Sequence, residues 1–242
     1  MSTLHVKMSS EQSQITHVIF DMDGLLLDTE RLYTVIYEEI FQEHGIPEYT
    51  WELKQKLMGR KEIESAQIVI RETGMNITPE EWIRLLNHKS QEVFPAAELM
   101  PGAEKLVCHL FKHKIPIAVA TGSPSALFEL KTKRHSDFFK LFHHIVCTGD
   151  DPEVKHGKPA PDPYLVALHR FGGDIPPTDK VLVFEDAING VLSAHAAGMK
   201  VILVPDPRLD QTKAKDANLI LSSLKDFVPE DWGLPPYSSA VC

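Results

Sequence analysis

The sequence predicts an α/β protein with a doubly wound parallel sheet and a block of helices inserted after the first strand. Two observations support this fold class. Residues 101–204 alternate apolar runs of strand length with helical patterns, which is typical of βαβ units. Residues 30–99 contain only helical patterns, in which apolar residues recur every three or four positions. The first strand is therefore separated in sequence from the remaining strands.

The first predicted strand is His17–Phe20, a short apolar run that stops at the acidic turn Asp21-Met22-Asp23-Gly24. A helix is predicted from about Thr29, and we expect Asp28 and Glu30 to cap it rather than to contact a substrate. Its apolar positions recur at helical spacing and are Leu32, Val35, Ile36, Ile40 and Phe41.

Three further helices are predicted inside the inserted block. Apolar spacing indicates two of them, at about residues 53–58 and 63–70. The third has a distinct start signal, because Thr78 can cap it, Pro79 suits its first turn, and Glu81 lies three residues after the cap. The block is thus predicted to be entirely helical.

The rest of the chain is predicted to complete a Rossmann-like core. Its predicted strands are Pro116–Ala120, His143–Cys147, Lys180–Phe184 and Lys200–Val204. Its predicted helices are Ala103–His113, one from about Ser125, Asp162–Phe171 and Asn189–Ala197. The strands are continuous apolar runs, as expected for a sheet covered on both faces. We therefore predict a core formed by residues 1–29 and 100–242, a helical domain formed by residues 30–99, and an irregular tail beyond Phe227.

Composition excludes several classes of function. The formal net charge of −9 disfavours nonspecific nucleic-acid binding, which requires a positive surface. Three scattered cysteines indicate neither a disulfide framework nor a zinc site, and they favour a reducing compartment, the cytoplasm. The start of the chain, Met1–Gln14, is polar, and no apolar stretch is long enough to span a membrane. With no signal for association, we expect a monomer.

Reactive side chains follow four separate strands. Asp21 and Asp23 follow the first, Thr121-Gly122-Ser123 follow the second, Lys158 lies between the third strand and the next helix, and Glu185-Asp186 follow the fourth. Ligands of doubly wound sheets bind at the carboxyl ends of the strands. Each group alone is better explained as a turn, a cap or a solvated charge, but their joint order predicts one shared site.

These motifs resemble those of the haloacid dehalogenase-like phosphatase superfamily. The four motifs correspond to Asp21-Met22-Asp23-Gly24, Thr121, Lys158 and Glu185-Asp186, and the inserted helices lie where members with a C1 cap carry that cap. We call residues 30–99 the cap. Segments 20–30, 99–103 and 149–154 are also similar to those of pseudouridine-5'-phosphatases and glycerol-phosphate phosphatases. The resemblance covers nearly the whole chain.

The resemblance implies a Mg²⁺-dependent phosphatase that forms an aspartyl-phosphate. A carboxylate can attack a phosphate ester only if their mutual repulsion is screened, and Mg²⁺ with oxygen ligands provides that screening. We assign Asp21 as nucleophile and metal ligand and Asp186 as a second ligand. The resemblance implies that Asp23 contributes its backbone carbonyl, and we expect Glu185 to hold a metal-bound water.

The other groups are assigned to proton transfer and phosphate binding. The Asp23 carboxyl would protonate the leaving oxygen and then activate water, and we expect a raised pKa for this role. Thr121 and the amides of Gly122 and Ser123 would bind phosphoryl oxygens at a helix start. Lys158 would stabilise charge on the transferring group and on Asp21.

The loop that contains Gly59, Arg60 and Lys61 connects two helices of the cap. One interpretation is that Arg60 and Lys61 are two exposed cations. The other is that this loop folds over the cleft and binds the leaving group of the substrate.

The sequence favours a small phosphorylated metabolite as substrate, because a cap of this size can enclose a nucleotide or a sugar. Pseudouridine 5'-phosphate, in nucleotide metabolism, is the best candidate, and glycerol phosphate or a sugar phosphate is the alternative. A sugar-phosphate mutase would use the same residues. A non-enzymatic phospho-acceptor module is disfavoured by Asp23, since Asp23 would hasten loss of the phosphoryl group.

Overall fold

The fold is described from a computed structural model, which describes residues 14–57 and 62–237. Within these ranges the strands are β1 (His17–Phe20), β2 (Ile117–Thr121), β3 (His144–Cys147), β4 (Val181–Glu185), β5 (Lys200–Leu203) and β6 (Leu219–Ile220). The helices in the same ranges are α1 (Thr29–Glu43), α2 (Trp51–Leu57), α3 (Glu62–Thr73), α4 (Pro79–Val93), α5 (Ala103–Lys112), α6 (Ser125–Thr132), α7 (Ser136–Phe139), α8 (Asp162–His169) and α9 (Ile188–Ala196).

The described strands form one parallel sheet in the order β3-β2-β1-β4-β5-β6. The predicted doubly wound α/β fold is confirmed. β1 lies in the middle, paired with β2 on one side and β4 on the other. Sequence analysis missed β6, because two residues are too short to form a recognisable apolar run.

Two apolar layers cover the sheet, one on each face. Along β1, Val18 and Phe20 belong to one layer and Ile19 belongs to the other. This alternation follows from the two-residue period of a strand. α5 packs in the first layer, and α8 and α9 pack in the second. Burial on both faces explains why the strands are apolar without alternation in the sequence.

The cap helices α1–α4 surround a third apolar cluster, which is separate from the two layers of the sheet and includes the fully buried Trp82. The predicted capping box at the start of α4 is confirmed. The Thr78 hydroxyl accepts the Glu81 backbone N–H at 3.2 Å, and the Glu81 carboxylate accepts the Thr78 backbone N–H at 2.8 Å. The limits of the cap at residues 30 and 99 stay a prediction.

The two chain segments that join the cap to the core run side by side. Leu27 forms an antiparallel bridge with Leu99. The backbone N–H of Asp28 donates to Glu98 O at 2.9 Å, and that of Met100 donates to Leu26 O at 2.8 Å. We call this pair of segments, residues 26–28 and 98–100, the hinge. It brings the two ends of the cap to the carboxyl end of β1, beside Asp21 and Asp23.

The expected capping of α1 is wrong. The side chain of Asp28 makes no capping hydrogen bond and instead accepts from Arg31 Nε at 2.9 Å. Glu30 turns toward Lys54 of α2, whose Nζ lies 3.2 Å from Glu30 Oε2. Burial of Lys54, whose side chain is 7% exposed, explains the difference, because a buried ammonium needs a nearby carboxylate.

Candidate active site

Asp21 and Lys158 meet at the carboxyl end of the central strand. Asp21 follows β1 directly and is 6% exposed. Lys158 Nζ donates to Asp21 Oδ1 at 2.5 Å and to Glu185 Oε1 at 2.6 Å. The ammonium therefore links the ends of β1 and β4. Lys158 and Glu185 were both predicted as site residues. Lys158 contacts Asp21 directly, and Glu185 contacts Lys158.

Glu185 is held by donors on both carboxylate oxygens. Besides Lys158, the Tyr164 hydroxyl of α8 donates to Oε1 at 2.6 Å. The backbone N–H groups of Asp186 and Ala187 donate to Oε2 at 3.0 and 3.2 Å. With both oxygens engaged, Glu185 is better suited to orient Lys158 than to bind a metal directly.

A cluster of buried acids fits a divalent cation. Oxygens of Asp21, Glu185 and Asp186 all lie within 4.8 Å of one another. Burial raises the pKa of Asp21 to about 7; Lys158 opposes this rise, and the charges of Glu185 and Asp23 add to it. Burial and the charges of Glu185, Asp21 and Glu30 raise the pKa of Asp186 well above its usual value. A hard cation would offset this repulsion, and an all-oxygen donor set is the type that Mg²⁺, Mn²⁺ and Ca²⁺ prefer.

Gly24 leaves room for the Asp186 carboxylate. A Cβ atom built on Gly24 would lie 2.3 Å from Asp186 Oδ2, and the φ angle of Gly24 is +81°. Both the space and the backbone conformation therefore require glycine at this turn. The motif Asp21-Met22-Asp23-Gly24 thus places its last residue against the end of β4.

Asp23 is oriented away from the acid cluster and accepts hydrogen bonds on both oxygens. Oδ1 accepts from Thr29 Oγ1 at 2.7 Å and from Lys131 Nζ at 2.5 Å. Oδ2 accepts from Thr121 Oγ1 at 3.1 Å and from Ser123 Oγ at 2.9 Å. Four donors from three separate segments therefore fix the orientation of the carboxylate.

The expected raised pKa of Asp23 is wrong for this arrangement. Burial alone would raise the pKa of Asp23, but the charge of Lys131 and the hydrogen bonds from Lys131, Thr29 and Ser123 lower it below its usual value. The expectation did not include the buried ammonium of Lys131. In this arrangement Asp23 is a carboxylate, the form that acts as a base.

Sequence analysis missed Lys131 and Tyr164 as site residues. Lys131 lies in the interior of α6, where a lysine is ordinarily solvated. A usable signal was its spacing of four residues from Leu127 and three from Phe128, which places it on the apolar side of the helix. Tyr164 shares α8 with apolar residues and gave no such signal.

The segment after β2 lies beside Asp23. The Thr121 hydroxyl, besides donating to Asp23, accepts the backbone N–H of Ser123 at 3.1 Å. Gly122 is exposed, and a Cβ atom built on it would meet no protein atom within 4 Å. Arg60 and Lys61 lie outside the described residues, so their role in the cleft stays a prediction.

A cleft of about 580 Å³ lies between α1 of the cap and the loops after β5 and β6. Gly24 and Asp186 form part of its wall, so it adjoins the acid cluster. Its other charged lining residues are Asp28, Glu30, Arg31, Glu38, Lys54, Asp206 and Arg208. Among the residues described, none of those that line it is aromatic. The cleft is large enough for a small organic molecule, and its mainly apolar wall carries these charged side chains.

One family model matches most of the chain. The family model described as haloacid dehalogenase-like hydrolase matches residues 18–204, and the chain belongs to this family. Solved structures support the fold. CbbY from Rhodobacter sphaeroides, solved in complex with phosphate, is 23% identical with a TM-score of 0.73, over 88% of this chain and 96% of its own. Beta-phosphoglucomutase from Clostridium difficile is 21% identical with a TM-score of 0.71, over 89% of this chain and 94% of its own.

Curated relatives define the class of enzyme. (DL)-glycerol-3-phosphatase 2 of Arabidopsis thaliana is 49% identical over 96% of this chain and 97% of its own length. A protein of Drosophila melanogaster named "Probable pseudouridine-5'-phosphatase" is 47% identical over 93% of this chain and 96% of its own. The chain is a phosphoric monoester hydrolase. In residues 14–57 and 62–237, no helix is long and apolar enough to cross a membrane.

Proposed function

We propose that the chain is a Mg²⁺-dependent phosphatase that transfers the phosphoryl group of a small, hydroxyl-rich ester to Asp21 and then to water. The contact between Asp21 and Lys158 beside the buried carboxylate of Asp186 carries this proposal. Asp21 and Asp186 would hold Mg²⁺ directly, with the backbone carbonyl of Asp23, and Glu185 would orient Lys158 and a metal-bound water. When bound, Mg²⁺ would screen the negative charges of nucleophile and phosphate.

In the first step, a carboxylate oxygen of Asp21 forms a bond to phosphorus while the bond from phosphorus to the leaving oxygen breaks. Lys158 stabilises the negative charge that spreads over the phosphoryl oxygens. Thr121 and the backbone N–H groups of Gly122 and Ser123 donate to those oxygens. This step requires the protonated form of Asp23, whose proton goes to the leaving oxygen so that an alcohol departs.

In the second step, water attacks the phosphorus atom of phospho-Asp21. The Asp23 carboxylate takes a proton from this water, the bond from phosphorus to Asp21 breaks, and inorganic phosphate leaves. The proton that Asp23 gave to the alcohol is thereby replaced. The low pKa of Asp23 in the present arrangement suits this second step.

The charged side chains in the wall of the cleft support glycerol phosphate as one candidate substrate. A polyol can donate to the carboxylates of Glu30 and Asp206, both of which line the cleft. Tyr37 and Tyr49 lie against each other within the cap, with ring centroids 4.6 Å apart, and neither lines the cleft. Trp51 lies against Arg208.

The volume of the cleft supports pseudouridine 5'-phosphate as the second candidate. A space of about 580 Å³ lies inside the range that encloses drug-sized ligands, and glycerol phosphate alone would leave much of it to water. Both candidates are alkyl phosphates with several hydroxyl groups. The chemistry at Asp21 is the same for both.

The test is release of inorganic phosphate from glycerol 3-phosphate, pseudouridine 5'-phosphate and uridine 5'-phosphate, with Mg²⁺ or with a chelator. We expect Mg²⁺-dependent release by the wild type and a loss of at least about a thousandfold in kcat for Asp21→Asn, which removes the nucleophile. The matched control is Asp137→Asn, an exposed carboxylate paired with Lys140 that is not one of the site residues, and it should leave release unchanged.

Two results would contradict this function. Phosphate release that survives in Asp21→Asn would exclude the aspartyl-phosphate route. Transfer of phosphate between two positions of a sugar, without inorganic phosphate, would indicate a mutase.

A further inference from the structure

Lys131 is a buried lysine whose three N–H groups are all engaged. Its side chain has no exposed area. Nζ donates to Asp23 Oδ1 at 2.5 Å, to Ser123 Oγ at 2.9 Å and to Tyr33 OH at 2.9 Å. None of the four family motifs includes Lys131. Lys131 nevertheless contacts Asp23, the residue proposed to exchange a proton with the substrate.

Stability alone does not account for this lysine. Removing an ammonium group from water is costly, and an apolar side chain of similar volume often stabilises a core equally well. A methionine could fill this space beside Phe94, whose ring centroid lies 4.7 Å from Lys131 Nζ. The charge is therefore better explained by what it does to its partner, Asp23.

Lys131 supplies the one charged donor among the four that bind the Asp23 carboxylate. The others are the hydroxyls of Thr29, Thr121 and Ser123. A charge-assisted hydrogen bond is roughly twice as strong as a neutral one. Ser123 is itself oriented by Lys131, since its hydroxyl accepts from the same Nζ while it donates to Asp23. Loss of Lys131 would weaken two of the four contacts.

Lys131 also contacts the cap beyond each segment of the hinge. Tyr33 lies in α1, a few residues after the first hinge segment, and its ring centroid is 4.6 Å from Nζ. Phe94 lies in the short 3₁₀ turn before the second hinge segment. A rotation of the cap about the hinge would change both contacts. The same ammonium group thus touches the cap and the Asp23 carboxylate.

We propose that Lys131 is a positioning residue that orients the Asp23 carboxyl group toward the leaving oxygen and couples this orientation to the position of the cap. The inference rests on the proposed phosphatase function. Lys131 itself gives up no proton and forms no bond to substrate. Asp23 remains the group that transfers the proton.

The test compares two leaving groups in Lys131→Met. Glycerol 3-phosphate releases an alkoxide, which needs protonation, whereas 4-nitrophenyl phosphate releases a nitrophenolate, which leaves without it. General acid catalysis contributes about a hundredfold or more, so we expect kcat/KM for glycerol 3-phosphate to fall by about thirtyfold to a hundredfold. For 4-nitrophenyl phosphate, kcat/KM should fall by less than about threefold.

Hydrolysis of phospho-Asp21 provides a second readout. Asp23 acts there as a base for either substrate, so kcat for 4-nitrophenyl phosphate should fall while kcat/KM is nearly kept. Nitrophenol should then appear in a burst whose size matches the enzyme concentration. A purely structural role would not separate kcat from kcat/KM in this way.

Two further variants control for damage to the fold. Tyr33→Phe removes only the hydroxyl that accepts from Lys131. In this variant too, kcat/KM should fall more for glycerol 3-phosphate than for 4-nitrophenyl phosphate, and the ratio of the two losses should be about a tenth of that in Lys131→Met. Thr132→Val changes the next buried side chain of α6, whose hydroxyl donates to Phe128 O at 2.8 Å, and it should alter both substrates equally. If Lys131→Met does not fold, Tyr33→Phe carries the test.

Equal losses on both substrates, or no loss on either, would overturn the role of Lys131. In both cases, activity of the wild type would leave the phosphatase function intact. A wild type that hydrolyses neither substrate in Mg²⁺ would instead overturn the proposed function, and the role of Lys131 with it.

Discussion

At the scale of residues, four carboxylates and two ammonium groups divide into two sets around the end of β1. Lys158 lies between Asp21 and Glu185, and Lys131 binds Asp23. Asp186 adds a further negative charge on the Asp21 side. The side that holds Asp21 therefore has excess negative charge, where a cation binds best. On the other side, Lys131 balances the charge of Asp23.

Gly190 provides a test of how strictly Glu185 must be placed. A Cβ atom built on Gly190 would lie 1.7 Å from Glu185 Oε1, so Gly190→Ala must displace that carboxylate from Lys158 and Tyr164. We expect kcat to fall by more than about tenfold and the free energy of unfolding to fall by about 1–3 kcal/mol. Steady-state kinetics and urea unfolding would measure these changes.

The control for this variant is Gly45→Ala. Gly45 has a φ of +68° but open space around it, so alanine should cost stability through backbone strain and leave kcat unchanged. Wild-type kcat in Gly190→Ala would show that Glu185 is not needed where the structure places it.

Most of the site could be predicted from the sequence because its members follow predicted strands. Asp21, Thr121 and Glu185 each stand where an apolar run ends, and parallel strands bring their carboxyl ends together. Lys131 could not be found in this way, since it reaches the site from the interior of a helix. The low pKa of Asp23 was consequently missed.

At the scale of elements, a cluster of histidines surrounds Phe171 at the amino ends of the strands, opposite the site. His17 begins β1 and His144 begins β3, with ring centroids 4.8 and 4.7 Å from that of Phe171. Burial lowers the pKa of both histidines. The charge of His143 lowers both further, and that of Arg170 lowers the pKa of His144. Both histidines are therefore neutral in the folded chain around neutral pH.

This cluster predicts a loss of stability in mild acid. Because the folded-state pKa of His144 is lowered, the unfolded chain binds the proton first, at about pH 6.5. The stability that neutral His144 contributes is thus complete above that pH and is lost as the pH falls through the folded-state pKa. We expect His144→Gln to destabilise the protein at about pH 8 and to have a smaller effect at about pH 5.5.

Urea unfolding of both proteins at the two pH values would measure the difference. His156→Gln is the control, because the side chain of His156 is 78% exposed and it lies in a surface loop. A destabilisation by His144→Gln that does not depend on pH would refute the assignment.

Element types were more predictable than element ends. The strand β1 has the predicted bounds, and the capping box at Thr78 fixed the start of α4. β2, β3 and β4 begin or end one residue from the predicted positions, since an apolar run does not mark where strand hydrogen bonds stop. β6 could not be predicted from the sequence, because only two of its residues pair with β5.

At the scale of the whole molecule, the cap and the core also meet on the side of the cleft, through Arg208 and Trp51. The guanidinium carbon of Arg208 lies 4.2 Å from the ring centroid of Trp51 in α2. Asp206 orients it, accepting from Arg208 Nε at 3.0 Å and from a terminal nitrogen at 2.8 Å. Because Arg208 also lines the cleft, this contact ties α2 of the cap to the core beside the cleft.

We expect Trp51→Ala to favour the open cap. An exposed cation–π contact contributes about 0.5–1 kcal/mol, so KM for glycerol 3-phosphate should rise by about twofold to fivefold with little change in kcat. Trp51→Phe keeps an aromatic ring and should lie close to the wild type. A lower KM in Trp51→Ala would show that the stack hinders substrate entry.

The position of β1 in the sheet has a consequence for how the protein is made. β1 leaves the ribosome first among the strands, yet its two partners begin at Ile117 and Val181. At about 5–20 residues per second, the middle strand waits several seconds for one neighbour and longer for the other. During that interval the cap has all of its own helices and can fold on local contacts. The cap therefore has the chance to fold while most of the chain that will form the active site is still being synthesised.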